Sequence, residues 1–147
     1  MCTSFKVDLF NAVHAFNATG IPAHTVATAD TFKAALYLAT ATVNSTTTAY
    51  SSSNEVSGTN YTAGGVTVTF GTAPSSTSTT AFITPSASIV YTNVTLSSSF
   101  DAVLIYNSTQ SNKSVSVHTF TAQTVTAGTF TLTMPSNDSS NALLRLA

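Results

Sequence analysis

The chain has 147 residues, enough for one domain that buries its own core without a disulfide or a metal. Only 6% of it is Asp, Glu, Lys or Arg, and five carboxylates against four fixed cations leave a formal net charge of −1. With no basic stripe to meet a phosphate backbone and no apolar run near the ~20 residues that cross a bilayer, neither nucleic acid nor a membrane is an expected partner.

Ser and Thr make up about a third of the residues and supply the polarity that charges usually supply. A hydroxyl surface desolvates more cheaply than a charged one, which suits packing against other subunits. Cys2 is the single cysteine, so no disulfide framework or thiol metal cluster is expected. Lys6, Asp8 and His14 interrupt the stretch where a secretory signal would need an apolar core, so no signal peptide is expected. Seven Asn-x-Ser/Thr triplets occur, but without a signal they are discounted as glycosylation sites.

Taken in order, Ser4 to about Phe16 reads as an amphipathic helix, with Phe5, Leu9, Val13 and Phe16 on one stripe. Ser4 is placed to cap it, Asp8 lies toward its positive end, and Asn17 to Pro22 should stop it, so the helical segment is set within residues 1–20. Such a helix covers an open face or docks onto a neighbour. Asp30–Ala39 has alanines enough for a helix, but period two puts Phe32, Ala34, Leu36 and Leu38 on one face, and strand is preferred. Residues 44–65 are mostly Ser, Thr, Asn, Gly and Tyr and read as a long polar loop or arm.

Short alternating runs follow: Val66–Phe70, Ala81–Thr84, Ser88–Leu96, Ser114–Phe120, Thr126–Met134 and Ala142–Ala147, with 71–80 read as loop. In Ser88–Leu96 the expected inward residues are Val90, Val94 and Leu96, with Asn93 a possible break. Asp101–Asn107 differs from the rest because both alternating faces are apolar, which marks a central strand covered on both sides. The expected core is Phe32, Leu36, Val68, Leu104, Ile105, Val117, Phe130 and Leu132. The fold class is mainly β, an antiparallel β-sandwich or jelly-roll-like barrel in a single domain, with one N-terminal helix and a long arm.

No chemistry stands out. His14, His24 and His118 form no pair at ligand spacing on one element, and no Gly-x-Ser-x-Gly elbow is present. No catalytic, cofactor-binding or metal-ligating residue is assigned, and no enzyme activity is expected. Tyr50, Tyr61, Tyr91 and Tyr106 offer rings for stacking on sugars, as in a carbohydrate-binding module, although such modules lean on Trp and the chain has none.

Four phrases carry a resemblance: Asp30-Thr-Phe-Lys-Ala-Ala-Leu-Tyr37, Asn54-Glu-Val-Ser-Gly-Thr-Asn-Tyr-Thr-Ala-Gly-Gly65, Ala102-Val-Leu-Ile-Tyr-Asn-Ser-Thr-Gln-Ser-Asn-Lys113 and Thr126-Ala-Gly-Thr-Phe-Thr-Leu-Thr-Met-Pro135. In their order and spacing the chain resembles small structural proteins of tailed-bacteriophage virions over nearly its whole length, with Val103 inserted before Leu104-Ile105-Tyr106 as one departure. The resemblance implies a particle component, first a head decoration (cement) protein bound to the major capsid protein, often as a trimer. A tail or neck component is the alternative within that class, and a glycan-binding adhesion module the alternative outside it. The implied location is the capsid surface of the virion, after synthesis in the host cytoplasm. The expected interface combines the helix stripe Phe5, Leu9 and Val13 with Tyr50, Glu55, Val56 and Tyr61, spaced along an arm that orders on a neighbouring subunit.

Overall fold

The computed structural model of the chain describes residues 1–10, 13, 14, 16 and 29–147. The described residues form one helix and seven strands: α1 (Thr3–Phe10), β1 (Phe32–Leu38), β2 (Val66–Val68), β3 (Ser75–Thr77), β4 (Thr80–Ile83), β5 (Ile89–Asn107), β6 (Lys113–Leu132) and β7 (Leu144–Leu146). They make two antiparallel sheets, one in the order β2-β1-β5-β6 and a smaller one in the order β3-β4-β7. The mainly β class is as expected.

The run Asp101–Asn107 is the interior of the larger sheet. Leu104 lies opposite Ala35 of β1 on one side and Val117 of β6 on the other. Every residue from Ala102 to Asn107 is buried. The period of two divides β1 and β5 between two apolar clusters. Ala34, Leu36, Val103 and Ile105 face the larger one, shared with Phe5 of α1, Ile83 of β4 and Leu144 of β7. Ala35, Tyr37, Ala102, Leu104 and Tyr106 face the other way, toward Ala41, Val43 and Tyr50 of the segment after β1. The second face of the central strand is therefore covered by a loop.

Of the expected core, Phe32, Leu36, Val68, Leu104 and Ile105 are buried, while Val117, Phe130 and Leu132 are half-buried and packed against the core. Two pairs of expected short strands are single long ones. Ser88–Leu96 and Asp101–Asn107 are both part of β5, and Ser114–Phe120 and Thr126–Met134 both belong to β6, which ends at Leu132. Asn93 explains why the first pair looked broken: it has φ 52°, and between Tyr91 and Val94 β5 advances three residues while β6 advances two. That extra residue is a bulge, and it reverses which residues face inward. Before it Ile89 and Tyr91 are buried and Val90 is 40% exposed, so the expected inward position of Val90 is corrected. Strand β3, within the expected loop 71–80, is an unforeseen all-exposed edge strand.

The helix is shorter than its stripe implied. It ends at Phe10, and Val13 and His14 lie outside it. Val13 N–H bonds to the Asp8 carbonyl at 3.0 Å, an i→i−5 closure that ends the turn. Ser4 sits inside the helix with a buried, unpartnered hydroxyl, so it is not the cap. The expected stop at Asn17–Pro22 lies outside the described residues.

Candidate functional site

Most of residues 44–65 are exposed, but Tyr50, Glu55, Val56, Tyr61, Gly64 and Gly65 are turned onto the sheet. Glu55 is the centre. Its Oε2 accepts from the Tyr50 hydroxyl at 2.6 Å, and its Oε1 accepts from the Tyr61 hydroxyl at 2.7 Å and from Gly64 N–H at 2.8 Å. The Tyr61 oxygen in turn accepts from Leu36 N–H of β1 at 3.0 Å. The Tyr37 hydroxyl donates to the Ser51 carbonyl, that of Tyr106 to the Gly64 carbonyl at 2.8 Å, and that of Tyr91 to the Ala34 carbonyl at 2.7 Å. The five tyrosines of the chain thus converge on one clasp between the loop and the sheet.

Local geometry makes the clasp possible. Glu55 bridges Tyr37 of β1, Thr59 bridges Thr95 of β5, and Ala49 bridges Lys113 of β6, so the loop crosses the sheet as it goes. Gly65 has φ +74°, and a Cβ there would stand 1.6 Å from the Ala34 carbonyl oxygen, which leaves room for glycine alone. Tyr50 stacks on Tyr106 with centroids 4.6 Å apart, and Tyr61 on Tyr91 at 5.9 Å. Burial raises the pKa of all five phenols, with the Glu55 carboxylate acting in the same direction; that of Tyr106 is pushed up to about 12. They are hydrogen-bond donors that stay protonated through the neutral range.

These contacts correct the expectation of an arm waiting for a neighbour. Val56 is buried at 3% exposure in the main core, and Tyr50, Glu55 and Tyr61 are anchored on their own sheet. Phe5 is 2% exposed and Leu9 packs beside it, so the helix stripe also faces its own core. Val13 is half-buried. The rings offered for sugar stacking pack on one another, with Tyr106 and Tyr91 buried and Tyr50 and Tyr61 partly so.

A second polar cluster ties the N-terminal segment to the β5–β6 turn. Lys113 Nζ donates to Asp8 Oδ1 at 2.8 Å. Asn107, wholly buried, donates through Nδ2 to Asp30 Oδ2 at 2.7 Å and lies 3.1 Å from His14 Nδ1. Its Oδ1 accepts from the N–H groups of Thr109 and Gln110, which shapes the turn, and Gln110 reaches Asp30 Oδ1 at 3.1 Å. Because Asn107 donates to Nδ1, the imidazole proton sits on Nε2, 3.8 Å from Asp8 Oδ2 and too far for a hydrogen bond. Burial lowers the His14 pKa, so the ring is neutral near pH 7. His118 is likewise held down, to about 4, chiefly by burial, and its Nε2 meets Ser116 Oγ at 2.9 Å.

Sequence reading missed Asn107, Asp30, Tyr37 and Gly64 as organising residues. The available signal was position: Asp30 precedes β1 and Asn107 ends β5, and the register pairs Phe32 with Asn107. Among the described residues no group of three or more His, Cys, Asp or Glu side chains is placed to hold a metal ion. The arrangement of the two clusters is that of a brace. No protein-family description, no curated protein and no solved structure matches the chain, so the resemblance to virion proteins stands on its phrases alone.

Proposed function

We propose that the chain is a structural component of a tailed-bacteriophage particle, a decoration protein that binds the shell built from the major capsid protein and braces it from outside. The observation that carries this reading is where the resembling phrases lie. Three of the four lie together: Asp30–Tyr37 is β1 with its lead-in, Asn54–Gly65 is the clasp, and Ala102–Lys113 is the part of β5 that pairs with both β1 and β6, with its turn; the fourth, Thr126–Pro135, takes in the end of β6. All three are in mutual contact through Glu55, Tyr37, Tyr106, Asp30 and Asn107. Three of the four resembling phrases therefore fall on one braced scaffold, which fits a protein whose work is mechanical. The two sheets are read as an open sandwich, since Ile83 and Leu144 of the small sheet share the core of Leu36 and Val103. Low charge suits repeated, salt-tolerant contacts whose strength comes from number.

The test is location. Immunogold labelling of virions that carry the chain should place gold over the head, and adding the protein to heads that lack it should raise the temperature at which they release DNA. Gold confined to the tail, or heads that neither bind the protein nor gain heat resistance, overturns the assignment.

A further inference from the structure

Strand β6 forms one outer edge of the larger sheet. Its first residues are covered by the chain itself: Ser114 N–H bonds to the Thr48 carbonyl, Cys2 N–H bonds to the Val115 carbonyl, each at 3.0 Å, and Ala49 bridges Lys113. Among the described residues, no backbone group from any segment other than β5 is bonded to β6 beyond Val115. An open row of N–H and C=O groups is a template for another strand, and edges are usually guarded by charge, proline or bulges. From Ser116 to Leu132 there is no Asp, Glu, Lys, Arg or Pro. Register shifts interrupt the β5–β6 pairing at five places: β6 has the extra residues between Ser114 and Ser116, Thr119 and Gln123, and Val125 and Gly128, while β5 has them opposite Gln123–Val125 and opposite Gly128–Phe130. Of the stretches of β6 that carry no extra residue of their own, Gly128–Leu132 is the longest, and it lies opposite the β5 bulge at Asn93.

The apolar layer also runs out to this edge. Phe120, Val125, Phe130 and Leu132 are only half-buried, and Phe130 packs edge-on to Phe100 at 5.0 Å and against Phe120 at 5.4 Å. On the opposite face Thr129 and Thr131 are exposed.

We propose that Gly128–Leu132 is a strand-pairing surface whose occupant is the same segment of a second copy, antiparallel about a two-fold axis at Phe130. A two-fold axis perpendicular to the sheet keeps the same face of both copies on the same side. The half-buried aromatic rims then meet and form one layer, and Thr129 lies opposite Thr131 of the second copy. Thr–Thr pairs are favourable across strands, and no like charges oppose the approach. This goes beyond shell binding and gives self-association two-fold symmetry in place of the three-fold expected by resemblance.

The register makes the test specific. In sedimentation velocity the purified protein should show a dimer that grows with concentration. Thr129→Lys with Thr131→Lys sets Lys opposite Lys twice and should weaken the dimer about tenfold or more. Thr129→Lys with Thr131→Glu sets Lys opposite Glu twice and should restore it. Both threonines are exposed, so the variants should melt like wild type. Amides 128–132 should exchange more slowly as concentration rises. A wild type that stays monomeric overturns the inference, as does a dimer indifferent to the Lys pair or a Lys/Glu variant no tighter than Lys/Lys. The assay contains no shell, so its failure leaves the decoration reading standing.

Discussion

Leu104 has no exposure and is enclosed by Ala35, Val117 and the loop behind them. Leu104→Ala should cost roughly 2–5 kcal/mol, seen as a lower midpoint in a chemical denaturation with an unchanged slope. A midpoint equal to wild type would mean that the second apolar face contributes little. At this position the sequence was informative because burial on both sides of a strand writes a continuous apolar run. At Val90 it misled. The phase of that strand turns on the backbone of Asn93, and a bulge leaves no mark in hydrophobic alternation until its register is seen.

The loop 44–65 shows why a whole element can be misjudged. Its residues are polar and local period is absent: Glu55 binds Tyr61 and Gly64 within the loop, and those two in turn reach Leu36 of β1 and Tyr106 of β5. Many exposed Ser, Thr and Asn residues hid the few, Glu55 and Tyr61 among them, that tie the loop down. The prediction for this element changes accordingly. Deleting Ser51 to Asn60 with a short Gly-Ser joint removes Glu55 and Val56 and the contacts of Ser51 with Tyr37. Val56 alone contributes about 1.5–3 kcal/mol by burial, and each stranded hydrogen-bonding group costs about 1–3 kcal/mol. A melt of the deletion variant should fall well below wild type; an unchanged melt would return the segment to the role of a free arm. The N-terminal helix failed differently: spacing recovered the buried Phe5 and the half-buried Leu9, but Asp8 and its closure with Val13 ended it a turn and a half early.

Across the whole molecule the five tyrosines act as one alkaline limit. Folding holds every phenol protonated above its unfolded pKa near 10. The unfolded chain therefore releases protons first, and stability falls as pH rises. The contribution is complete below pH 10 and declines through about 12, where Tyr106 begins to ionise in the folded state. Melts between pH 8 and 11.5 should be flat and then drop, while phenolate absorbance of the folded protein lags that of the denatured protein. Coincident titrations would show that the clasp is open in solution. The mainly β architecture and the central strand were legible from alternation; the clasp was not, because it joins residues far apart in the chain. That separation also matters during synthesis. Strand β1 is complete at Leu38, but its partner β5 ends at Asn107, and β6 must follow before Cys2 can bond Val115. At about 5–20 residues per second, β1 leaves the ribosome roughly 3–14 seconds ahead of its neighbour. For that interval the edge of β1 that β5 will cover is on offer to every other nascent copy, even once β2 has paired its other edge, so yield should depend on translation rate and chaperone supply as much as on the finished fold.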